Sequence, residues 1–214
     1  MSETVRKGNL VIVSGPSGAG KSVLVTRVLQ SLSHLRFSVS YTTRAPRGTE
    51  RNGVEYCFVD RPKFQSLIRE NELLEWAEVH GNCYGTSKKF VDDLLEQGED
   101  VILDIDIQGA HIIRQKRSDA IGVFILPPSY TVLKERLRQR RLDDNAAIER
   151  RLKMACDEIR HYKEYDFLIT NENLDNSVQE LQSIILSARC RVENRMESAK
   201  SILISFGGIN AEDP

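Results

Sequence analysis

The apolar positions along the chain fall into two recurring patterns. One is a short, nearly unbroken aliphatic run: LVIV at 10–13, VILDI at 101–105, GVFIL at 122–126 and DFLIT at 166–170. Runs of this length without alternation have the form of strands covered on both faces. The other pattern is helical. Leu24, Val25, Val28, Leu29 and Leu32 share one face of a helix that begins near Lys21. Similar spacing predicts helices over 88–97, 130–140 and 146–162. Strands alternating with helices predict an α/β fold, a mostly parallel sheet flanked by helices on both faces.

Residues 40–85 interrupt this rhythm. SYTTRAPRGTERNGVEYCFVD is rich in Thr, Arg and Gly, and VEYCFV alternates. Loops and short strands are expected there rather than another strand–helix unit, making an inserted β-rich subdomain. RRLDDNAA at 140–147 breaks a charged helical region and reads as the tip of a helical lid. The last ten residues, SFGGINAEDP, read as a disordered tail. The expected division is a core of 1–39, 98–133 and 163–200, a subdomain of 40–97, a lid of 134–162 and a tail of 201–214.

Composition narrows the classes further. The 214 residues suffice for one full-sized core with one or two small insertions. With 40% hydrophobic and 29% charged residues, the chain has the make-up of a soluble globular protein. A net charge of −1 provides no global field for nucleic acid or membranes, and neither is an expected partner. Charge is uneven locally: 134–153 carries eight Lys/Arg against four Asp/Glu, a net of +4. Cys57, Cys83, Cys156 and Cys190 form no CxxC pair, so free thiols are expected rather than zinc or disulfides. MSETVRKG is too short and polar for a secretory signal, and no apolar stretch approaches the roughly 18 residues that span a membrane. A cytoplasmic location follows as the expectation.

The strongest chemical signal is GPSGAGKS at 15–22, between a predicted strand and a predicted helix. Gly15, Gly20, Lys21 and Ser22 satisfy the spacing of a phosphate-binding loop. Glycines let successive N–H groups of Gly15, Pro16, Ser17, Gly18, Ala19 and Gly20 wrap an anion (Pro16 lacking one), and the following helix presents its positive end. Lys21 reaches the β- and γ-phosphates, and the Ser22 hydroxyl is a ligand for Mg²⁺ bound with ATP. The plainer reading is a Gly-rich strand-to-helix turn, which the flanking context disfavours.

A second signal is VILDIDIQG, which puts Asp104 and Asp106 two apart. On a strand both would share a face near its carboxyl end, where ligands of parallel sheets bind. Contact with Mg²⁺ and substrate is one reading, with Asp104 reaching the metal through water. An ion pair with an arginine at the sheet edge is the other.

No N-K-x-D guanine motif of signalling GTPases is present, and 214 residues leave little room for motor or transporter domains. A small kinase remains. VSYTTRAPRGTERNGVEY, LLEWAEVHGNCYGTS, ILDIDIQGA and FILPPS, in this order, resemble the guanylate kinase family from about Gly8 to Arg195. The resemblance implies transfer of the γ-phosphoryl group of ATP to GMP, and to dGMP, within a P-loop fold bearing an inserted GMP-binding subdomain and a lid. It implies that Arg44 and Arg47 grip the GMP phosphate with Tyr56 and Tyr84. It implies that Ser40, Glu75, Thr86 and Asp106 read guanine, and that Arg136, Arg140 and Arg151 are lid arginines. Lys21, Arg44 and the lid arginines are then the catalytic set. The residue types make chemical sense. Arginine forks hold phosphate oxygens bidentately. A carboxylate such as Glu75 accepts from guanine N1–H and N2–H₂, which adenine lacks on that edge. A homo-oligomer is left open.

Three departures from the family pattern stand out. The lid has Arg138, Gln139, Arg140 and Arg141 where R-G-R-G is usual, so both glycines are gone. Cys83 replaces an aromatic residue, and PRGTE carries its glycine one place early.

Overall fold

The computed structural model describes residues 6–79, 81–139 and 144–206. β1 (Leu10–Ser14) leads through the glycine loop into α1 (Lys21–Ser31) and back along β2 (Leu35–Phe37). The insertion follows: β3 (Tyr41–Thr42), β4 (Cys57–Phe58), α2 (Arg61–Arg69), β5 (Leu73–Val79) and β6 (Asn82–Ser87). α3 (Lys88–Glu96) returns the chain to β7 (Asp100–Asp104), α4 (Ile107–Lys116) and β8 (Ile121–Leu126). α5 (Tyr130–Gln139), α6 (Asn145–Ile159), a 3₁₀ turn (Arg160–Glu164), β9 (Phe167–Thr170), α7 (Leu174–Arg189) and α8 (Val192–Ser205) complete it.

The main sheet has the order β2-β7-β1-β8-β9, and every neighbouring pair is parallel. β1 is buried along its whole length. Its alternate side chains feed two layers. Val11 and Val13 pack with Leu24, Val25 and Val28 of α1 and Leu181 and Ile185 of α7. Leu10 and Ile12 pack with Leu103, Val91 and Leu95 of α3 and Ala110 and Ile113 of α4. Helices on both faces were expected from the unbroken apolar runs, because a strand buried on both sides needs no polar face.

The second sheet has the order β4-β3-β6-β5, with β6 antiparallel to both neighbours. It has its own small core of Phe64, Leu67, Leu73 and Cys83. α5 and α6 form a third cluster, Leu133 and Leu137 against Ile148, Leu152 and Ala155.

Several local expectations change. The strand at 101–105 ends at Asp104, so Asp104 and Asp106 do not share a strand face. Asp106 instead caps α4, its Oδ1 accepting from Gly109 N at 2.8 Å. An aspartate followed by apolar helical residues satisfies the orphan donors of a helix start, which outweighs continuing the strand. The insertion contains a helix, α2, capped by Asp60 with Pro62 in its first turn. α3, assigned to the insertion by sequence, buries Val91 and Leu95 against the main sheet. Residues 201–205 are helical rather than tail, and 207–214 lie outside the described residues.

Candidate active site

The glycine loop leaves the carboxyl end of β1, the middle strand of the main sheet. Gly20 occupies the cap position of α1 with φ 97, and no side chain caps that helix. The first-turn N–H groups therefore remain open to an anion. A Cβ at Gly20 would collide with the Asn171 side chain, so both conformation and space require glycine. Lys21 Nζ is folded back onto the loop, donating to Gly15 O at 2.6 Å. Ser22 Oγ donates to Asp104 Oδ2 at 2.8 Å. Asp104 thus meets the loop serine from the end of the neighbouring strand, in place of the arginine partner considered above. That hydroxyl–carboxylate pair is a hard oxygen donor set suited to Mg²⁺. Among the described residues no three His, Cys, Asp or Glu side chains gather as a metal site of their own.

The small sheet supplies the facing wall. Ser40, Tyr56, Glu75, Tyr84, Asp104 and Asp106 border one cavity of about 240 Å³. An adjoining cleft of about 450 Å³ shares Ser40, Tyr56 and Asp104 and reaches Ser22. The two spaces connect the loop serine to Glu75. Glu75 is only 4% exposed, and Thr86, fully buried on the paired strand, donates from Oγ1 to Glu75 Oε1 at 2.7 Å. The pairing register of β5 with β6 shifts between Leu73 and Glu75. Such an irregularity re-aims a side chain, and here a carboxylate points inward beside the buried Leu73 and Leu74. Burial raises the Glu75 pKa to about 7, opposed by the Thr86 hydroxyl and reinforced by Asp106. Gly109 allows this approach, since a Cβ there would sit 2.9 Å from Glu75 Oε2.

Arg44 is 8% exposed and lies 5.2 Å from the centroid of Tyr56, which in turn meets Tyr84 edge-on. Its guanidinium donates to Glu50 Oε1 at 2.9 Å, and Glu50 Oε2 accepts from Arg47 N at 2.8 Å. The Arg44 bond holds the Glu50 carboxyl below its usual range. The Arg47 side chain is exposed, and the structure does not bring it to the Glu75 cavity. Glu50 was missed by sequence reasoning; its signal was the acid closing RGTE, three residues after Arg47.

The lid arginines separate. Arg136 donates to Asn171 O at 2.9 Å and to Ala19 O at 3.3 Å, beneath the loop. Arg151 lies on α6, half-buried. Arg140 lies outside the described residues. Two further residues escaped sequence reasoning. Asn171, 4% exposed at the end of β9, donates to Ala19 O at 2.8 Å and holds the loop from below. It stood in plain view in TNEN, but only the parallel sheet brings β9 to the loop. Glu158 of α6 is half-buried near the loop; burial raises its pKa, against the pull of the Lys21 ammonium and the Ser17 N–H. Seven residues after Arg151, it shares that helix face.

A parallel sheet with a phosphate loop after its middle strand, faced by a small sheet that carries a buried acid, defines a P-loop nucleotide-binding protein of the small-kinase class. A family model described as Guanylate kinase matches residues 7–188. The guanylate kinase of Koribacter versatilis is 45% identical over an alignment of 231 positions, covering 97% of this chain and 98% of its own. That of Dechloromonas aromatica is 50% identical over 178, covering 83% and 88%. A crystal structure of guanylate kinase from Anaplasma phagocytophilum matches with a TM-score of 0.76 at 32% identity, covering 96% of this chain and 98% of that one. The chain belongs to the guanylate kinase family, nucleotide-binding transferases that phosphorylate GMP with ATP. Among the described residues no helix is long and apolar enough to cross a membrane.

Proposed function

We propose that this chain transfers the γ-phosphoryl group of ATP to GMP, and to dGMP, releasing ADP and the nucleoside diphosphate. The observation that carries the acceptor assignment is Glu75: a buried carboxylate bonded to Thr86, with Asp106 beside it, in a cavity that opens toward Ser22. An acceptor-only group there matches the two N–H donors on one edge of guanine and leaves adenine unpaired. Ser40 and Thr86 complete the base contacts. Arg44 and Arg47, with the Tyr56 and Tyr84 hydroxyls, take the acceptor phosphate.

The phosphate loop from Gly15 to Ser22 takes the donor phosphates. Lys21 swings from its loop carbonyls onto them, exchanging a neutral acceptor for charged ones. Ser22 Oγ would hold Mg²⁺ directly and Asp104 through water; bound with ATP, the ion neutralises phosphate charge and fixes its geometry. The attacking group is a phosphate oxygen already ionised at neutral pH, so the chain needs no general base. Its task is positioning and charge stabilisation by Lys21, Arg44, Arg136, Arg140 and Arg151. Closure of the 40–97 and 134–162 segments over the core would exclude water and suppress ATP hydrolysis. A cytoplasmic setting agrees with the four unpaired cysteines.

The test offers GMP, dGMP, AMP, CMP and UMP separately with ATP and Mg²⁺ and follows ADP release. Turnover with GMP and dGMP is expected. Turnover with AMP in preference to GMP refutes the acceptor assignment, and no turnover with any acceptor refutes the activity.

A further inference from the structure

Helix α8 carries its apolar stripe on the wrong side for a helix that packs on its own core. Val192, Met196, Leu203 and Phe206 are 77%, 47%, 59% and 84% exposed, and Ala199 between them is exposed as well. No residue of α8 is buried. The opposite face is polar: Asn194, Ser198, Ser201 and Ser205. Of these Asn194 and Ser198 are half-covered by the body, and Asn194 Nδ2 donates to Asn9 Oδ1 at 2.7 Å and Ala188 O at 2.9 Å. A surface helix ordinarily buries its apolar stripe and exposes its polar one; α8 leaves its apolar stripe exposed and turns Asn194 and Ser198 toward the body.

We propose that α8 pairs with α8 of a second copy of this chain, antiparallel, along this stripe. The spacing is that of a two-stranded seam. Positions 192, 196, 199, 203 and 206 advance by four, three, four and three, the alternation of a and d positions in a heptad repeat. The flanking charges select both partner and direction. In the antiparallel arrangement Met196 of each copy layers against Ala199 of the other, and Val192 against Leu203. Glu193 then lies beside Lys200 of the second copy, and two-fold symmetry makes that pair twice. A parallel arrangement would set Arg195 beside Lys200 of the other copy, two like charges made twice. The four charges of α8, Glu193, Arg195, Glu197 and Lys200, sum to zero. A helix that lies on an anionic membrane needs a basic polar face, which α8 lacks. A seam of two heptads is smaller than the roughly 800 Å² per partner of a standard interface, so the pairing is reversible, with a dissociation constant in the micromolar range.

Sedimentation equilibrium on the full chain, from about 1 to 300 µM, reads this directly. Wild-type chain shifts from monomer to dimer across that range. Leu203→Glu stays monomeric. Lys200→Glu weakens the dimer about tenfold, because symmetry doubles each like-charge contact. Adding Glu193→Lys to Lys200→Glu restores it, since the pair is then only exchanged. The substituted side chains are exposed, so circular dichroism and turnover of GMP remain those of the wild type. A wild-type chain that stays monomeric throughout overturns the proposal. So does a dimer that Leu203→Glu leaves intact. A dimer tightened by Lys200→Glu overturns the antiparallel assignment.

Discussion

Glu75→Gln separates what the acceptor site costs in stability from what it gains in recognition. Burial raises the Glu75 pKa from 4.5 to about 7. The folded carboxyl therefore holds its proton more tightly than the unfolded one. Wherever the native state binds more protons than the unfolded state, stability falls as pH rises. The fall starts near the unfolded value and is complete above about pH 7, the folded value. A shift of about 2.5 pH units at 1.36 kcal/mol each is a penalty of about 3 kcal/mol. Glutamine keeps the shape and carries no charge. The ligand-free variant is therefore more stable than the wild type at pH 8 by up to about 3 kcal/mol, and the difference shrinks toward zero near pH 4. With an unfolding entropy of about 2.1 cal/mol/K per residue, the pH 8 difference is a Tm rise of up to about 7 °C. Recognition moves the opposite way. The amide turns a donor toward the guanine donors, and kcat/KM for GMP falls at least about 100-fold. In the wild type, protonation of Glu75 below pH 7 removes an acceptor, so KM for GMP rises as pH falls through about 7. Thermal melts without nucleotide from pH 4 to 8, beside steady-state kinetics, read both arms. A variant that melts at or below the wild type at pH 8, or by the same margin at pH 4 and 8, refutes the burial argument.

Gly109→Ala places a methyl 2.9 Å from Glu75 Oε2 and 3.2 Å from Asp106 Oδ1; KM for GMP rises about tenfold while KM for ATP holds, in two-substrate kinetics. Asn171→Ala removes the buried donor to Ala19 O, so KM for ATP rises about tenfold with little change for GMP. Asp100 has no exposed side-chain surface and accepts from Arg6 at 2.7 Å, Asn9 N at 2.8 Å and Arg189 at 2.7 Å. Burial pushes its pKa up, but these bonds outweigh burial and lower it. Its contribution is thus present above the ordinary aspartate range and lost as pH falls through the lowered value. Asp100→Ala leaves two guanidinium groups without their partner and costs about 3–5 kcal/mol in urea unfolding at pH 7, with the acid sensitivity reduced.

Local patterning carried much of the architecture. Apolar runs without alternation require cover on both faces, and strands 10–14 and 121–126 are buried where those runs stand; 167–170 is also a strand, but at the sheet edge Phe167 and Leu168 stay exposed. The helix from Lys21 was legible because a phosphate loop must end in an open helix N-terminus. α2 and α4 were not, because their signals are capping aspartates, Asp60 and Asp106, embedded in segments whose composition suggests loop or strand. At the site, the family resemblance pointed to Glu75, Thr86, Tyr56 and Tyr84; the pairing of β5 with β6 sets Glu75 beside Thr86, and Tyr84 of β6 meets Tyr56 edge-on.

By itself the sequence determined the phosphate loop, the parallel core and the family, because each is written in contiguous residues whose backbone needs are local. Tertiary structure decided the rest. It brought Asp104 to Ser22, Asn171 to Ala19 and Gly109 to Glu75, contacts spanning 82, 152 and 34 positions of the chain. It also left the apolar stripe of α8 facing outward. Periodicity reports that a helix has an apolar face, but only packing decides which surface covers it.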